Sequence, residues 1–360
     1  MRLTIPVLMS LAIALGAPAV AQQAPRTPDG HSDLTGIWTN ANLTPVSRPR
    51  GQTKLVVTPE EAKKIAGNTP IAGVPRSEAG LVDKIDPNLG APEKGGSDFG
   101  AKGYNSFWLS TGDSLALVKG EYRTSNIVDP PNGQIPHKDP AAVMAKARIA
   151  GIKYMTGVGE YEGPEVIGLA ERCLLGFSGA AGPGILTPIY NNTYQFVQTR
   201  DHVVILVEMV HDARIIPIFK DATTARASHK PNVIKPWMGD SVGWWEGDTF
   251  VAETANVNPT QGAENVIPLS AKGRVTERFQ RYAQDEIFYS FTVEDPDKYA
   301  QPWTVENSFR PQKALYEYAC AEGNYGLPGI LAGKRFEEER LAKEAATKTG
   351  GKGKATKAKQ

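Results

Sequence analysis

Gly243-Trp244-Trp245-Glu246-Gly247-Asp248-Thr249-Phe250-Val251, running on to Val257, is the stretch that decides the fold. Aromatic and β-branched residues flank a polar triplet, Glu246-Gly247-Asp248, so residues 243–257 predict an antiparallel hairpin. The same signature repeats on the C-terminal side. Arg274 to Tyr282 and Glu286 to Glu294 flank Ala283-Gln284-Asp285 and predict a second hairpin. Thr304 to Phe309 and Leu315 to Cys320 predict a third. Upstream, Thr193 to Thr199 reads as a strand. His202 to Val210 reads as a buried, nearly continuous apolar strand, with Arg214 to Phe219 following it. The expected fold is therefore mainly β: an antiparallel meander that closes into a barrel or folds as a sandwich.

The N-terminal half reads differently. It is rich in Gly and Pro, as in Gly73 to Pro92 and in the turn Asp129-Pro130-Pro131-Asn132-Gly133. A few short helices are expected. Thr58-Pro59-Glu60-Glu61 has the order of an N-cap, a proline at the first helical position and an acidic first turn. Pro140 to Ile149 reads as an Ala-rich helix. The expected organisation is one β-rich globular unit over 22–333. Within it, 22–185 forms a loop-rich packing region and 186–333 the strand core.

The two ends stand apart. Arg2 precedes an apolar run with its centre at Leu8 to Leu15, and Ala19-Val20-Ala21 ends it with small residues. That order is a secretion signal cleaved after Ala21, so residues 1–21 are expected to be removed and the mature chain to be periplasmic. No later run reaches the roughly 20 apolar residues of a bilayer span. Residues 334–360 hold nine Lys or Arg and four Glu. They are expected to form a short helix around Glu337 to Lys343, then an unstructured basic tail after Thr347.

Composition excludes some functions. The formal net charge is +1, and export makes a nucleic-acid partner a poor fit. There is no phosphate-binding loop, no G-x-G-x-x-G and no H-E-x-x-H. Gly176-Phe177-Ser178-Gly179-Ala180 lacks the last glycine of a nucleophile elbow. The two cysteines, Cys173 and Cys320, read as a disulfide in an oxidising compartment or as two buried thiols, and their spacing does not suit zinc.

Several motifs stand together. They are Asp33-Leu34-Thr35-Gly36-Ile37-Trp38, Tyr104-Asn105-Ser106-Phe107-Trp108, Arg123-Thr124-Ser125, Tyr190-Asn191-Asn192-Thr193-Tyr194-Gln195 and Glu208-Met209-Val210-His211-Asp212-Ala213-Arg214. Trp237-Met238-Gly239-Asp240-Ser241, Trp245-Glu246-Gly247-Asp248-Thr249 and Tyr318-Ala319-Cys320-Ala321-Glu322-Gly323-Asn324-Tyr325 complete the set. Over most of its mature length the chain resembles a large family of exported proteins from soil proteobacteria and acidobacteria, whose motifs carry no agreed reaction. Members usually have a histidine in the last motif where Ala321 stands here, so a role of that histidine does not carry over. The Gly36-Ile37-Trp38 triplet is also similar to the G-x-W that opens lipocalin-like barrels.

The chemistry-bearing segment is Glu208 to Arg214. His211 has the pKa range of a general acid or base, with Glu208 as its orienting partner and Arg214 as anion stabiliser. Tyr325 and Glu322, next to Cys320, supply a second proton-transfer group. Trp237 and Trp245 offer flat apolar surface. With Asp240 and Tyr194 they are the candidate substrate contacts. Two other constellations have suitable residue types without diagnostic spacing. Glu208, His211 and His229 have those of a metal site, and Ser241, His211 and Asp240 those of a triad.

The favoured expectation is a periplasmic enzyme, of lyase, hydratase, isomerase or hydrolase type. It would act without a cofactor on a small plant-derived molecule, aromatic or carbohydrate. The alternatives are a lipocalin-like small-molecule binding protein and a metal-dependent hydrolase or oxygenase. The partner expected in each case is a small molecule.

Overall fold

The computed structural model describes residues 24–69, 110–156, 161–177, 179–264, 266–320, 322 and 325–355. The expected signal, the 73–92 stretch, the Tyr104–Trp108 motif, Ser178 and Ala321 lie outside them. Among the described residues thirteen strands form: β1 Gly36–Thr39, β2 Val56–Val57, β3 Leu117–Val118, β4 Glu121–Arg123, β5 Ile127–Asp129, β6 Thr193–Gln198, β7 His202–Val207, β8 Ala213–Pro217, β9 Asp240–Glu246, β10 Thr249–Ala255, β11 Arg274–Ala283, β12 Glu286–Glu294 and β13 Trp303–Pro311. The helices are α1 Pro59–Gly67, α2 Pro140–Thr156, α3 Ala222–Ala227, α4 Pro259–Glu264 and α5 Gly326–Ala355. Among the described residues no helix is long and apolar enough to cross a membrane.

The first two hairpins form as the sequence predicts. β9 and β10 pair from Glu246↔Thr249 to Asp240↔Ala255, and Gly247 takes a positive φ of 60° in the turn. β11 and β12 pair along their whole length, with a bulge between Arg281 and Ala283. The third hairpin does not form. β13 has β12 on one side, and on the other it takes β5 and then β1. Leu315 to Cys320 therefore finds no free edge on β13, and it runs as irregular chain.

All pairings in the main sheet are antiparallel, in the order β8-β7-β6-β1-β13-β12-β11-β10-β9. This makes a nearly closed, barrel-like sheet of nine strands. β1 joins the two meanders by pairing with both β6 and β13, so the N-terminal half supplies a central strand as well as packing loops. Gly36 is required there. Its φ is +144°, and a Cβ would lie 2.9 Å from Nε1 of Trp38. Trp38 donates to Leu34 O at 3.1 Å, and the Arg281 guanidinium covers its ring 4.6 Å from the centroid.

Strand alternation fills the interior with side chains. Phe250 and Ala252, Val275 and Phe279, Ile287, Tyr289 and Phe291, Val305 and Phe309, Tyr194 and Phe196 are all buried in one core. Their rings meet at 4.8–6.3 Å, from Phe279–Tyr289 to Phe250–Phe279. The chain at 179–188 packs onto this core through Ala180, Ile185 and Leu186. It is held by Tyr194 Oη donating to Ala180 O and by Ile185 N donating to Tyr289 Oη.

Outside the barrel, β2, β4 and β3 form a small sheet against α1. Thr58 and Glu61 make the expected reciprocal cap of α1. Cys173 and Cys320 are disulfide-bonded, with Cα atoms 5.7 Å apart. The C-terminal segment departs from a short helix followed by an unstructured tail, because the helical backbone of α5 continues to Ala355. Alanine and long straight side chains lose little freedom in a helix, and the Arg340–Glu344 and Glu339–Lys343 pairs sit one turn apart on it.

Candidate functional site

The barrel fails to close at one place. β8 and β9 are the two ends of the sheet, and they touch through a single parallel bridge, Ile218↔Gly243, where Phe219 N also donates to Gly243 O at 2.8 Å. On the N-terminal side of that bridge the two strands splay. A cleft of about 210 Å³ opens between them, lined by Ala213, Arg214, Ile215 and Pro217 on one side and by Trp237 to Val242, Ser228 and Lys230 on the other.

The sequence builds each wall for a local reason. β7 stops at Val207. Glu208 then takes a helical conformation, and Val210 and His211 take left-handed ones, with φ of 61° and 51°. A β-branched residue in that region costs about 1–3 kcal/mol, so the turn is held by its surroundings. The reversal starts β8 at Ala213. Alternation then turns Arg214 inward and Ala213 and Ile215 outward.

Arg214 is the buried floor. Its Nη1 donates to Glu277 Oε1 at 3.0 Å, and its Nη2 pairs with Glu277 Oε2. Nη2 also reaches Thr254 Oγ1 at 3.2 Å and Ser241 Oγ at 3.4 Å. Tyr289 Oη donates to the same Glu277 carboxylate at 2.7 Å. Burial pulls the Arg214 pKa down, but the Glu277 charge and hydrogen bonds more than reverse this, so the guanidinium stays charged. Burial, with the Glu277 charge behind it, pushes the Tyr289 hydroxyl well above its ordinary range. Nε of Arg214 has no partner among the described residues.

Asp240 forms the other polar wall. It accepts from His229 Nδ1 at 2.9 Å and from Lys230 N at 2.7 Å, and Lys230 Nζ lies 3.6 Å away. Behind it, His229 Nε2 lies 3.5 Å from Glu253 Oε1, a charge contact more than a well-formed hydrogen bond. Glu253 is further held by Arg226 and Arg274. Burial alone lowers the His229 pKa, but Glu253 and Asp240 outweigh it and the net shift is upward. The contact with His229 leads the effects that hold Glu253 at about 2, against its burial. Trp237, at 37% exposure, and Met238, with φ of 60°, complete the rim.

Of the sequence candidates, the cleft brings together Arg214, Asp240, Ser241 and Trp237. The others lie elsewhere. The Glu208 carboxylate is spent on two backbone donors, Thr193 N at 3.1 Å and Tyr316 N at 3.3 Å. It clamps the chain after β13 to the end of β7 and does not orient His211. His211 is exposed, with Nδ1 3.3 Å from Tyr318 O. Tyr325 is 83% exposed, and Glu322 is exposed as well. No side-chain hydrogen bond or ion pair among the described residues joins any two of His211, Glu208, Arg214, Tyr325 and Glu322. The sequence places these residues close along the chain, but the left-handed turn and the capture of Glu208 by backbone separate them in space.

The candidate substrate contacts Tyr194 and Trp245 lie away from the cleft. Tyr194 is fully buried in the core with its ring edge on Phe309, and Trp245 is half-buried against the core and stacks on His31 at 4.4 Å. Ser241 Oγ meets Thr254 Oγ1 at 2.8 Å, with no histidine among its bonds, so the triad types do not form a relay. Glu208, His211 and His229 do not converge on a common point: the described residues contain no cluster of three metal-ligating side chains.

Sequence reasoning missed Lys230 and Glu277, and it gave Asp212 no role of its own. Glu277 was detectable, since it shares the inward face of β11 with Val275 and Phe279, where a lone carboxylate requires a cation. Asp212 accepts from Gly176 N at 2.9 Å, and burial raises its pKa to about 6.

No family model, curated protein or solved structure matches the chain.

Proposed function

We propose that this protein binds a small organic molecule, aromatic or carbohydrate, in the cleft between β8 and β9, and that it works in the periplasm. One observation carries the reading. Where the barrel fails to close, a buried guanidinium, a carboxylate, a hydroxyl and an exposed indole line one cleft, while the barrel interior is filled by its own aromatic rings. The lining is mainly polar, with Trp237 and Ile215 as its exposed apolar surface, and converging polar groups are what fixes a small ligand's orientation. The Cys173–Cys320 disulfide suits an oxidising compartment, in keeping with the signal-like order of residues 1–21.

A second reading is catalysis of lyase or hydrolase type. Asp212, titrating near 6 beside the exposed His211, supports it. A carboxyl in that range can take up or deliver a proton near neutral pH.

The test is a thermal-shift screen of the mature chain against aromatic and carbohydrate compounds, repeated on Ala213→Trp. Ala213 is exposed and lines the cleft, so an indole there fills the cleft without disturbing the core. Binding is expected to appear in the screen and to vanish in the variant. Hits that bind both proteins equally would move the site elsewhere. A hit consumed during incubation, with turnover lost in Asp212→Asn, would favour catalysis.

A further inference from the structure

We infer that the cleft takes one uncharged sugar ring: its hydroxyls meet the open backbone edges of β8 and β9 and the Asp240 carboxylate, and its C–H face lies on Trp237. This rests on the cleft being the ligand site, and it narrows the ligand to a neutral monosaccharide.

The backbone of the two walls comes first. Val207 N donates to Asp212 O and Ile218 N to Asp201 O, each at 2.8 Å. These bonds set the phase of the β7–β8 ladder, in which Ile205 lies opposite Arg214 and Val203 opposite Ile216. Along an antiparallel pair, alternate residues bond to the neighbouring strand, and those between turn their N–H and C=O to the other edge. Ala213 and Ile215 therefore present theirs on the open edge of β8. On the other wall, the two-residue turn Gly247-Asp248 makes Glu246 and Thr249 a bonded pair, so Asp240, Val242 and Trp244 bond toward β10. Gly243 and Ser241 face the other way. Gly243 is used by the bridge to β8, where it accepts from Phe219 N. Ser241 lies beyond it, where β8 and β9 no longer pair. Uncharged donors and acceptors thus stand side by side on both walls, and a hydroxyl is the group that both donates and accepts. The open stretch of β8 runs from Ala213 only to the bridge at Ile218 and contains Pro217, which has no N–H. It suits a small molecule better than a further strand.

The charges of the cleft cancel. The Arg214 guanidinium turns inward to Glu277, and Lys230 Nζ stands 3.6 Å from Asp240. Such a site selects neither a cation nor an anion. It still offers polar groups. The two hydrogen bonds of Asp240, from His229 Nδ1 and Lys230 N, both go to Oδ2, and Oδ1 has the Lys230 ammonium beside it. A carboxylate oxygen next to an ammonium is an acceptor and a donor at the spacing of neighbouring hydroxyls. The exposed Ser228 hydroxyl donates to Thr224 O at 2.8 Å and keeps its lone pairs.

The rim supplies the apolar half. Trp237 and Ile215, the latter 64% exposed, face solvent beside these polar walls. A pyranose is amphipathic in the same way, with C–H groups on its face and hydroxyls around its edge, and an indole is a flat apolar platform for that face. The size agrees. About 210 Å³ is below the roughly 300 Å³ at which pockets for drug-sized ligands begin, and it holds a single ring.

The experiment is calorimetric titration of the full mature chain with glucose, galactose, mannose and xylose, and with phenol and benzoate as aromatic controls, using the wild type, Trp237→Ala and Ala213→Trp. At least one of the sugars is expected to bind, equally well at low and high salt because the ligand is uncharged. Trp237→Ala changes the exposed rim and should weaken that sugar about two- to tenfold, the scale of one stacked ring. Ala213→Trp should abolish its binding. Phenol or benzoate binding that Ala213→Trp removes, with no sugar binding, would overturn the sugar while leaving the cleft as the site. Sugar binding unchanged in Trp237→Ala would overturn the stacked pose and the inference with it. Sugar binding unchanged in Ala213→Trp would overturn both the inference and the cleft as the site, and so would no binding of any of these compounds.

Discussion

Glu277→Gln tests whether the floor of the cleft is an ion pair held in a dry interior. The substitution keeps the shape of the side chain and removes only its charge. Glu277 is fully buried, and its carboxylate takes both Nη atoms of Arg214 and the Tyr289 hydroxyl. At an effective dielectric of about 20, unit charges about 3 Å apart attract by roughly 5–6 kcal/mol. The amide still accepts one or two of those hydrogen bonds, but the guanidinium is then buried without a counter-charge. Breaking such a pair from one side costs about 3–5 kcal/mol. Urea unfolding at neutral pH, with the disulfide intact, should show that loss. The double variant Arg214→Met with Glu277→Gln should recover a good part of it, because no uncompensated charge remains. A loss below about 1 kcal/mol in Glu277→Gln, or a double variant whose loss is the sum of the two single ones, would refute the argument.

Three further outcomes follow from the geometry. Replacing both Cys173 and Cys320 with Ser opens a loop of 147 positions, and the chain-entropy model puts the loss at about 4–5 kcal/mol. Equal urea midpoints for the variant and the oxidised wild type would exclude that contribution. The folded pKa of Asp212 is raised to about 6, so the native state holds a proton that the unfolded chain releases near 4. Stability is therefore lost as pH rises from about 4 to 6, and Asp212→Asn, which keeps the acceptor for Gly176 N, should flatten that fall. A stability curve unchanged by the substitution would place Asp212 in water. His229 is shifted the other way, above its ordinary 6.5, by Glu253 and Asp240. It adds stability below that value and loses it as pH climbs through the folded pKa. Its imidazole resonances should titrate above 6.5, and a midpoint below it would break the Asp240–His229–Glu253 contact.

The parts of the fold that were legible in sequence are the local ones. The hairpins at Gly247 and at Gln284-Asp285 are written in a two-residue alternation and a short polar turn, and they depend on nothing distant. The position of β1 is not local. Gly36-Ile37-Trp38 shows that a strand is there, but its neighbours at Tyr194 and Pro311 are fixed by sheet closure alone. Leu315 to Cys320 has strand-like residues and no edge to join. At the site, Arg214, Asp240 and Trp237 were identifiable by type. Their proper partners were not, because Glu277 lies in another hairpin and Lys230 in a loop. The expectation that Glu208 and His211 act with Arg214 fails at Val210, where a left-handed backbone turns the chain in a way its side chain does not announce.

The seating of β1 also governs the order in which this molecule can come together. One of the first strands to leave the ribosome waits for one of the last, since Trp38 pairs with Pro311. The two meanders can zip up early, as their contacts are short-range, but they stay as two separate open ribbons until the far end of the chain arrives. Contacts so distant in sequence make for slow closure. Such a chain remains threadable for most of its synthesis. A C-terminal truncation within β13 would leave both meanders with an unpaired edge, and association through those edges is the failure it should show.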